Sequence, residues 1–242
     1  MQNNNDKLNA LINKYNLNNQ EKQEFLTIIE PIFLHAEFQK RMTNPFLHHG
    51  NISLGEHILE DSIVTYKLAI KKNLKRKKKI NVSLAVKIAM FHDLYEEPWQ
   101  NNNRSKEKYF FNKHGFRHPI EAIINAYNWY PELFTDSEDT KIIIDGVLHH
   151  MFPLPVASRK TFVNNDYELN NYDGYLLLPE EIRKMITNSL QKSKLGTISF
   201  RHSQYREGRI MAKADRHVSF HQIKDFSSAK ALLTGHNKKI DK

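Results

Sequence analysis

Apolar residues recur along most of the chain at three- and four-residue spacing, the pattern of helices that bury one face. The stretch from Gln20 to Met42 carries Phe25, Ile28, Ile29, Ile32 and Phe33 in this rhythm and predicts packing helix, with Pro31 marking a kink or a break. Ser53-Leu54-Gly55-Glu56 fits a capping box, so the next helix starts there and runs through Ile58, Val64 and Leu68 to about Lys72. Ser83 is a candidate cap for LAVKIAMFHDLY, which is apolar on nearly every side and is expected to be the central buried helix. His118-Pro119 predicts the opening of a third helix, because proline is tolerated at the first helical position. Asp136 to Asp139 lead into KIIIDGVLHH, which Met151-Phe152-Pro153 stops. Pro179-Glu180-Glu181 predicts a short helix, and a last long one is expected from Tyr205 to about Phe226. Glu96 to Lys108 and Pro155 to Leu178 read as irregular, and the Tyr167 to Tyr175 region as a candidate lid. The expected fold class is all-α.

No internal repeat or linker divides the 242 residues, and 40% hydrophobic content can supply one core, so a single domain over 1–242 is expected. The absence of cysteine excludes disulfides, thiolate zinc sites and cysteine nucleophiles. Any metal must therefore be held by His, Asp and Glu. The polar start MQNNNDKLNALINKYNLNNQ lacks the apolar run of a signal peptide, and no stretch of about 18 apolar residues follows, so a soluble, cytoplasmic protein without membrane partners is expected. The net charge of +9 suits an anionic partner, a phosphate-bearing small molecule or nucleic acid, but lysine and asparagine are abundant throughout. The densest basic run, Lys71 to Lys79, falls between two predicted helices and reads as a solvated loop.

Position makes some of the thirteen histidines informative. His92-Asp93 ends the apolar helix, and an unpaired carboxylate in that setting costs several kcal/mol. A divalent cation meets the demand, since a neutral imidazole and a carboxylate can ligate together and the second oxygen remains free for another ion. His57 near the head of the preceding helix, and Asp215 in the late helical run Met211-Ala-Lys-Ala-Asp-Arg, complete the order His, His-Asp, Asp.

That order resembles the HD superfamily of metal-dependent phosphohydrolases. The words HGNISLGEH from His49 to His57 and AMFHDL from Ala89 to Leu94 resemble the family's as well. HGFRHP from His114 to Pro119, with Ala122 and Asn125-Ala126, and HMFPL from His150 to Leu154 resemble a bacterial subgroup with six ligand positions. The likeness covers about His49 to Leu154 and the region of Asp215 within a core of about 49–226, and departs from the subgroup in a long insertion over 155–204. It implies a single-domain helical HD fold with one or two divalent ions per chain. His57, His92, Asp93 and Asp215 would hold the first, and His118 and His150 the second, bridged by Asp93; His149 competes with His150. Mn, Fe, Co, Ni, Mg and Zn are not distinguished.

The implied activity is hydrolysis of a phosphoester by metal-activated water, on a nucleotide or related small molecule. Asp93 and His92 would be catalytic, with Lys213 and Arg117 (or Lys113) as supplementary positive charge. Arg201, His202, Arg206 and Arg209 in the insertion and just after it are further candidates for phosphate oxygens. The alternative reading is an inactive HD-fold protein that senses a nucleotide or binds RNA. No P-loop, dinucleotide fingerprint or Gly-x-Ser-x-Gly elbow competes.

Overall fold

The computed structural model describes residues 2–43, 46–48, 52–75, 77–96, 113–157, 169, 172–190 and 198–222. Nine α-helices account for nearly all of the regular structure among them: α1 (Gln2–Lys14), α2 (Asn19–Phe33), α3 (Ala36–Arg41), α4 (Leu54–Leu74), α5 (Val82–Phe91), α6 (His114–Trp129), α7 (Ser137–Leu148), α8 (Glu180–Ser189) and α9 (Arg206–Gln222). Two strands of two residues, β1 (Val156–Ala157) and β2 (Ile198–Ser199), pair antiparallel. The expected all-helical class holds, and no helix among the described residues is long and apolar enough to cross a membrane.

α5 occupies the centre, packed against α2, α4, α6, α7 and α9. Its sequence explains this, because Leu84, Ala85, Val86, Ile88, Ala89, Met90 and Phe91 are buried on every side of the helix. Each large apolar side chain so buried contributes about 1.5–3 kcal/mol. α4 starts where the capping box predicts: the Ser53 hydroxyl accepts from the Glu56 amide, and Glu56 accepts from the Ser53 amide at 3.1 Å. The short helix after Pro179 is α8.

Local boundaries differ from expectation in four places. The asparagine-rich start forms α1, which buries Leu8 and Ile12 against the body; its two apolar turns are diluted by residues of low helix propensity. α2 continues through Pro31 to Phe33 and the break comes at Leu34-His35, because Ile29, Ile32 and Phe33 stay buried across the proline. Asn81, not Ser83, caps α5, accepting from the Leu84 amide at 3.2 Å. α6 starts at His114, so Pro119 lies inside the helix, where burial of Arg117, His118, Ile120 and Ile123 outweighs the lost bond near the N-terminus. The Tyr167 to Tyr175 region is described only in part; its Tyr172 and Tyr175 are buried in the main core, which a lid would not require. Most of Glu96 to Lys108 and much of 155–204 lie outside the described residues, as does the helical run expected beyond Gln222.

One buried carboxylate ties the late elements together. Asp145 on α7 accepts from Ser189 Oγ at 3.0 Å, Arg201 Nη2 at 2.6 Å, Ser203 Oγ at 2.7 Å and the Gln204 amide at 2.7 Å. It thereby fixes the end of α8 and the approach to α9. Nearby α7 and α9 approach so closely that a β-carbon on Gly208 would sit 2.7 Å from Gly146 Cα. A residue larger than glycine would have to part the two helices.

Two outcomes follow from this packing. Gly208→Ala is expected to lose about 1–3 kcal/mol in urea unfolding, whereas Gly115→Ala, with nothing within 4 Å of the added carbon, leaves stability unchanged or slightly raised. Asp145→Asn is expected to cost about 3–5 kcal/mol at neutral pH, as a broken buried pair does. Burial pushes the Asp145 carboxyl up, but Arg201, His149 and Ser203 hold it below its usual 3.8. A carboxyl depressed in the folded state stabilises above the unfolded value and loses that contribution as pH falls through the folded one. The gap between wild type and Asp145→Asn should therefore be full above about pH 4 and close at lower pH, as followed by denaturation at stepped pH.

Candidate metal centre

Helix geometry brings the chemistry to the C-terminal end of α5. His57 lies in the first turns of α4 and Asp61 one turn further on, so both side chains lie on one face. His92 caps α5 and Asp93 follows in the turn. That turn is pinned from outside: Asn125 of α6 donates to the Leu94 carbonyl at 2.8 Å, and Arg41 of α3 donates to the Tyr95 carbonyl at 3.0 and 2.6 Å. Arg41 is itself fully buried and stacks on Trp129. α6 supplies His118, the turn after α7 supplies His150, and α9 supplies Asp215.

The six residues expected from the sequence meet at one place. Asp93 is at their centre, with Oδ2 3.7 Å from His57 Nε2 and 3.6 Å from His92 Nε2, and Oδ1 3.2 Å from His118 Nε2 and 3.7 Å from His150 Nε2. Asp215 Oδ1 lies 3.8 Å from His57 Nε2. The ligand atoms of His57, Asp61, His92 and Asp215 all lie within 4.8 Å of one another, as do those of His92, Asp93 and His150. With metal–ligand bonds of about 2.0–2.2 Å, ligand atoms around one ion stand roughly 3–4.4 Å apart. The buried His and Asp groups are therefore spaced so that they could hold metal.

The backbone settles which ring nitrogens face inward. His92 Nδ1 lies 2.6 Å from the Ala89 carbonyl, His118 Nδ1 3.1 Å from that of His114, and His150 Nδ1 2.7 Å from that of Val147. A carbonyl only accepts, so each Nδ1 carries a proton and, in the neutral ring, each Nε2 presents a bare lone pair. His118 Nε2 and His150 Nε2 are 3.0 Å apart. Two lone pairs at that distance repel unless a cation lies between them. His149 turns the other way, its Nε2 3.0 Å from Ser199 Oγ, and burial lowers its pKa to about 4. Of the two neighbours, His150 joins the cluster.

Two members escaped the sequence reading. Asp61 is fully buried, with neither oxygen in a hydrogen bond among the described residues, 3.1 Å from His57 Nε2 and 3.2 Å from His92 Nε2. Its signal was available, four residues after His57 on a helix buried all round, but nothing in the motif words singled it out. His48 stacks on His57 at 3.9 Å and lies 3.9 Å from Asp93 Oδ2. Two expected cations lie outside the cluster. Lys213 is exposed on the face of α9 away from Asp215, and Arg117 is buried beneath Tyr172, its guanidinium 4.9 Å from that ring. Arg201 and Arg206 are held by Asp145 and by the Lys78 carbonyl. His49, Gly50 and Asn51 lie outside the described residues.

The electrostatics express one demand. Burial pushes the His92 pKa down, but Asp93, Asp61 and Asp215 outweigh it and raise it to about 10. Burial and Asp61 raise Asp215 to about 6. Burial together with His118 and His92 pushes His150 well below its usual value. Three carboxylates thus seek positive charge, and without metal a proton on His92 supplies part of it. No protein-family model, curated protein or solved structure matches the chain. The site has to be read from its own chemistry.

Metal uptake is expected to release protons, because the ion displaces those on His92 and Asp215. Affinity for Mn(II), measured by chelator competition, should therefore rise with pH, most steeply below about 6, where Asp215 as well as His92 carries a proton, and less steeply above it. Asp61→Asn, of equal volume but uncharged, should weaken the first ion by more than the roughly 10–100-fold typical of residues one step removed from a metal.

Proposed function

We propose that the chain is a metal-dependent phosphohydrolase that cleaves a phosphoester of a small molecule, a nucleotide or a related compound. The observation that carries the metal part of this reading is the pair of inward Nε2 atoms of His118 and His150 at 3.0 Å beside Asp93. His57, Asp61, His92 and Asp215 would hold one divalent ion, His118 and His150 a second, and Asp93 would be shared. Carboxylate and imidazole ligands suit hard or borderline ions such as Mn, Fe, Co, Ni, Mg or Zn. When bound, such ions lower the pKa of water and neutralise charge on a phosphoryl group.

The chain's own residues fit that chemistry. The side chains of Asp61, His57 and His92 are wholly shielded, while those of Asp93 and Asp215 retain 7 and 10% exposure. A substrate therefore approaches over Asp93 and Asp215, the two carboxylates best able to orient water at the reacting phosphorus. The enclosure formed by α4, α5 and α9 excludes bulk water and strengthens every charge interaction inside. Arg117 is the cation better suited to an anionic group, since its buried Nη1 has no hydrogen-bond partner among the described residues and it lies next to His118. The resemblance in the motif words supports phosphoesters over other hydrolysable bonds.

Protein purified without added metal should carry stoichiometric Mn, Fe, Co or Ni by elemental analysis, and should hydrolyse at least one member of a panel of phosphorylated nucleotides assayed with several divalent ions. Asp93→Ala should lose bound metal and at least about 100-fold in rate. Lys77→Ala in the basic loop should change neither. Bound metal with no turnover across the panel would favour a nucleotide-sensing protein, and tight RNA retention without metal an RNA-binding one.

A further inference from the structure

The imidazole of His57 is held differently from the other three. Their Nδ1 atoms meet carbonyls of their own helix or turn, whereas His57 Nδ1 meets a side chain from the far end of the fold, Gln222 Oε1 on α9, at 2.9 Å. An amide can either donate or accept there, so this contact alone leaves the ring's tautomer open. The next contact resolves it. Gln222 Nε2 lies 2.6 Å from Glu60 Oε2, and a carboxylate only accepts. The amide nitrogen must therefore face Glu60, which turns the amide oxygen toward His57 and obliges Nδ1 to donate.

Glu60 is held from its other oxygen by donors of the N-terminal segment. Tyr15 donates to Oε1 at 2.6 Å, and Lys14 pairs with the same oxygen. Tyr15 has its own pKa raised, first by burial and then by Glu60, so it remains a donor. Both lie at or just beyond the end of α1, which also contacts α4 through the 3.2 Å pair of Lys7 and Glu56.

We propose that Glu60 and Gln222 are positioning residues: they lock His57 with its proton on Nδ1 and its Nε2 lone pair toward Asp61, Asp93 and Asp215, and so make the first metal position depend on the docked N-terminal helix. This rests on the metal-centre reading above. The polarity runs one way along the chain of contacts, from Lys14 and Tyr15 through Glu60 and Gln222 to the ring, and reversing the Gln222 amide breaks it. The segment with the least motif-like sequence thereby sets the protonation pattern of a ligand about forty residues away.

The test uses the full chain, with cobalt(II) alone as the probe. Gln222→Leu is expected to weaken cobalt binding about 10–100-fold, and nitrogen-15 NMR of the metal-free protein to show His57 Nδ1 protonated in the wild type and mixed tautomers in the variant. Gln222→Glu alone sets two carboxylates against each other and should also weaken binding. Adding Glu60→Gln to it restores a donor facing an acceptor, and should recover both the affinity and the wild-type tautomer, which a variant that merely disturbs folding would not do. Unchanged cobalt affinity in Gln222→Leu, a bare Nδ1 on His57 in the wild type, or a double variant no better than Gln222→Glu would each overturn the proposal. If the wild type binds no cobalt, the hydrolase reading fails, and the NMR comparison still decides the relay.

Discussion

Three carboxylates, Asp61, Asp93 and Asp215, are brought into one cluster with five imidazoles, and mutual repulsion among them is the constraint that the rest of the molecule must satisfy. Moving even one carboxylate into a low-dielectric interior costs several kcal/mol unless positive charge accompanies it. Hydrogen bonding does not supply that charge here, because the donors on His92, His118 and His150 are spent on backbone carbonyls. A proton can relieve part of the strain, as the raised His92 shows, but one proton cannot serve both oxygens of Asp93 at once. The arrangement is coherent for a protein that binds cations and costly for one that does not.

Holding such a cluster together demands a rigid frame, and the packing supplies it. α5 is apolar on all sides, so neighbouring helices surround it and its C-terminal end becomes the point where four of them converge. The turn that carries Asp93 would be free to move without Asn125 and Arg41 on its next two carbonyls. Asp145 performs the same service at the other side, fixing the approach to α9 that delivers Asp215. The carboxylate–donor sets of Asp145 and Glu60 are fully paired, in contrast to the central one.

That contrast separates scaffold from chemistry. Asp145 and Glu60 accept hydrogen bonds from named donors and have their pKa values lowered, as stabilising groups do. Asp61 accepts none and Asp215 is pushed upward, as groups do when a partner outside the polypeptide is expected. The same distinction removes Arg201 from consideration as a substrate contact, since its guanidinium is already committed to Asp145.

The helical class, the central role of the apolar helix and the Ser53 capping box were determined by sequence alone, because each rests on local periodicity or on residue types adjacent in the chain, whereas the six ligand candidates came from the resemblance of the motif words. Asp61 was equally local, yet an aspartate four residues after a histidine has no distinctive pattern until burial removes its water. Whether His149 or His150 faces the cluster depended on the turn after α7 and on Ser199, fifty residues away. The asparagine-rich N-terminus has little helix propensity of its own, and its helix exists because Leu8 and Ile12 find a surface that only the folded body provides. Long-range pairs such as Glu60 with Gln222 leave no trace in linear spacing, because a hydrogen bond depends on where two helices cross and not on the chain between them.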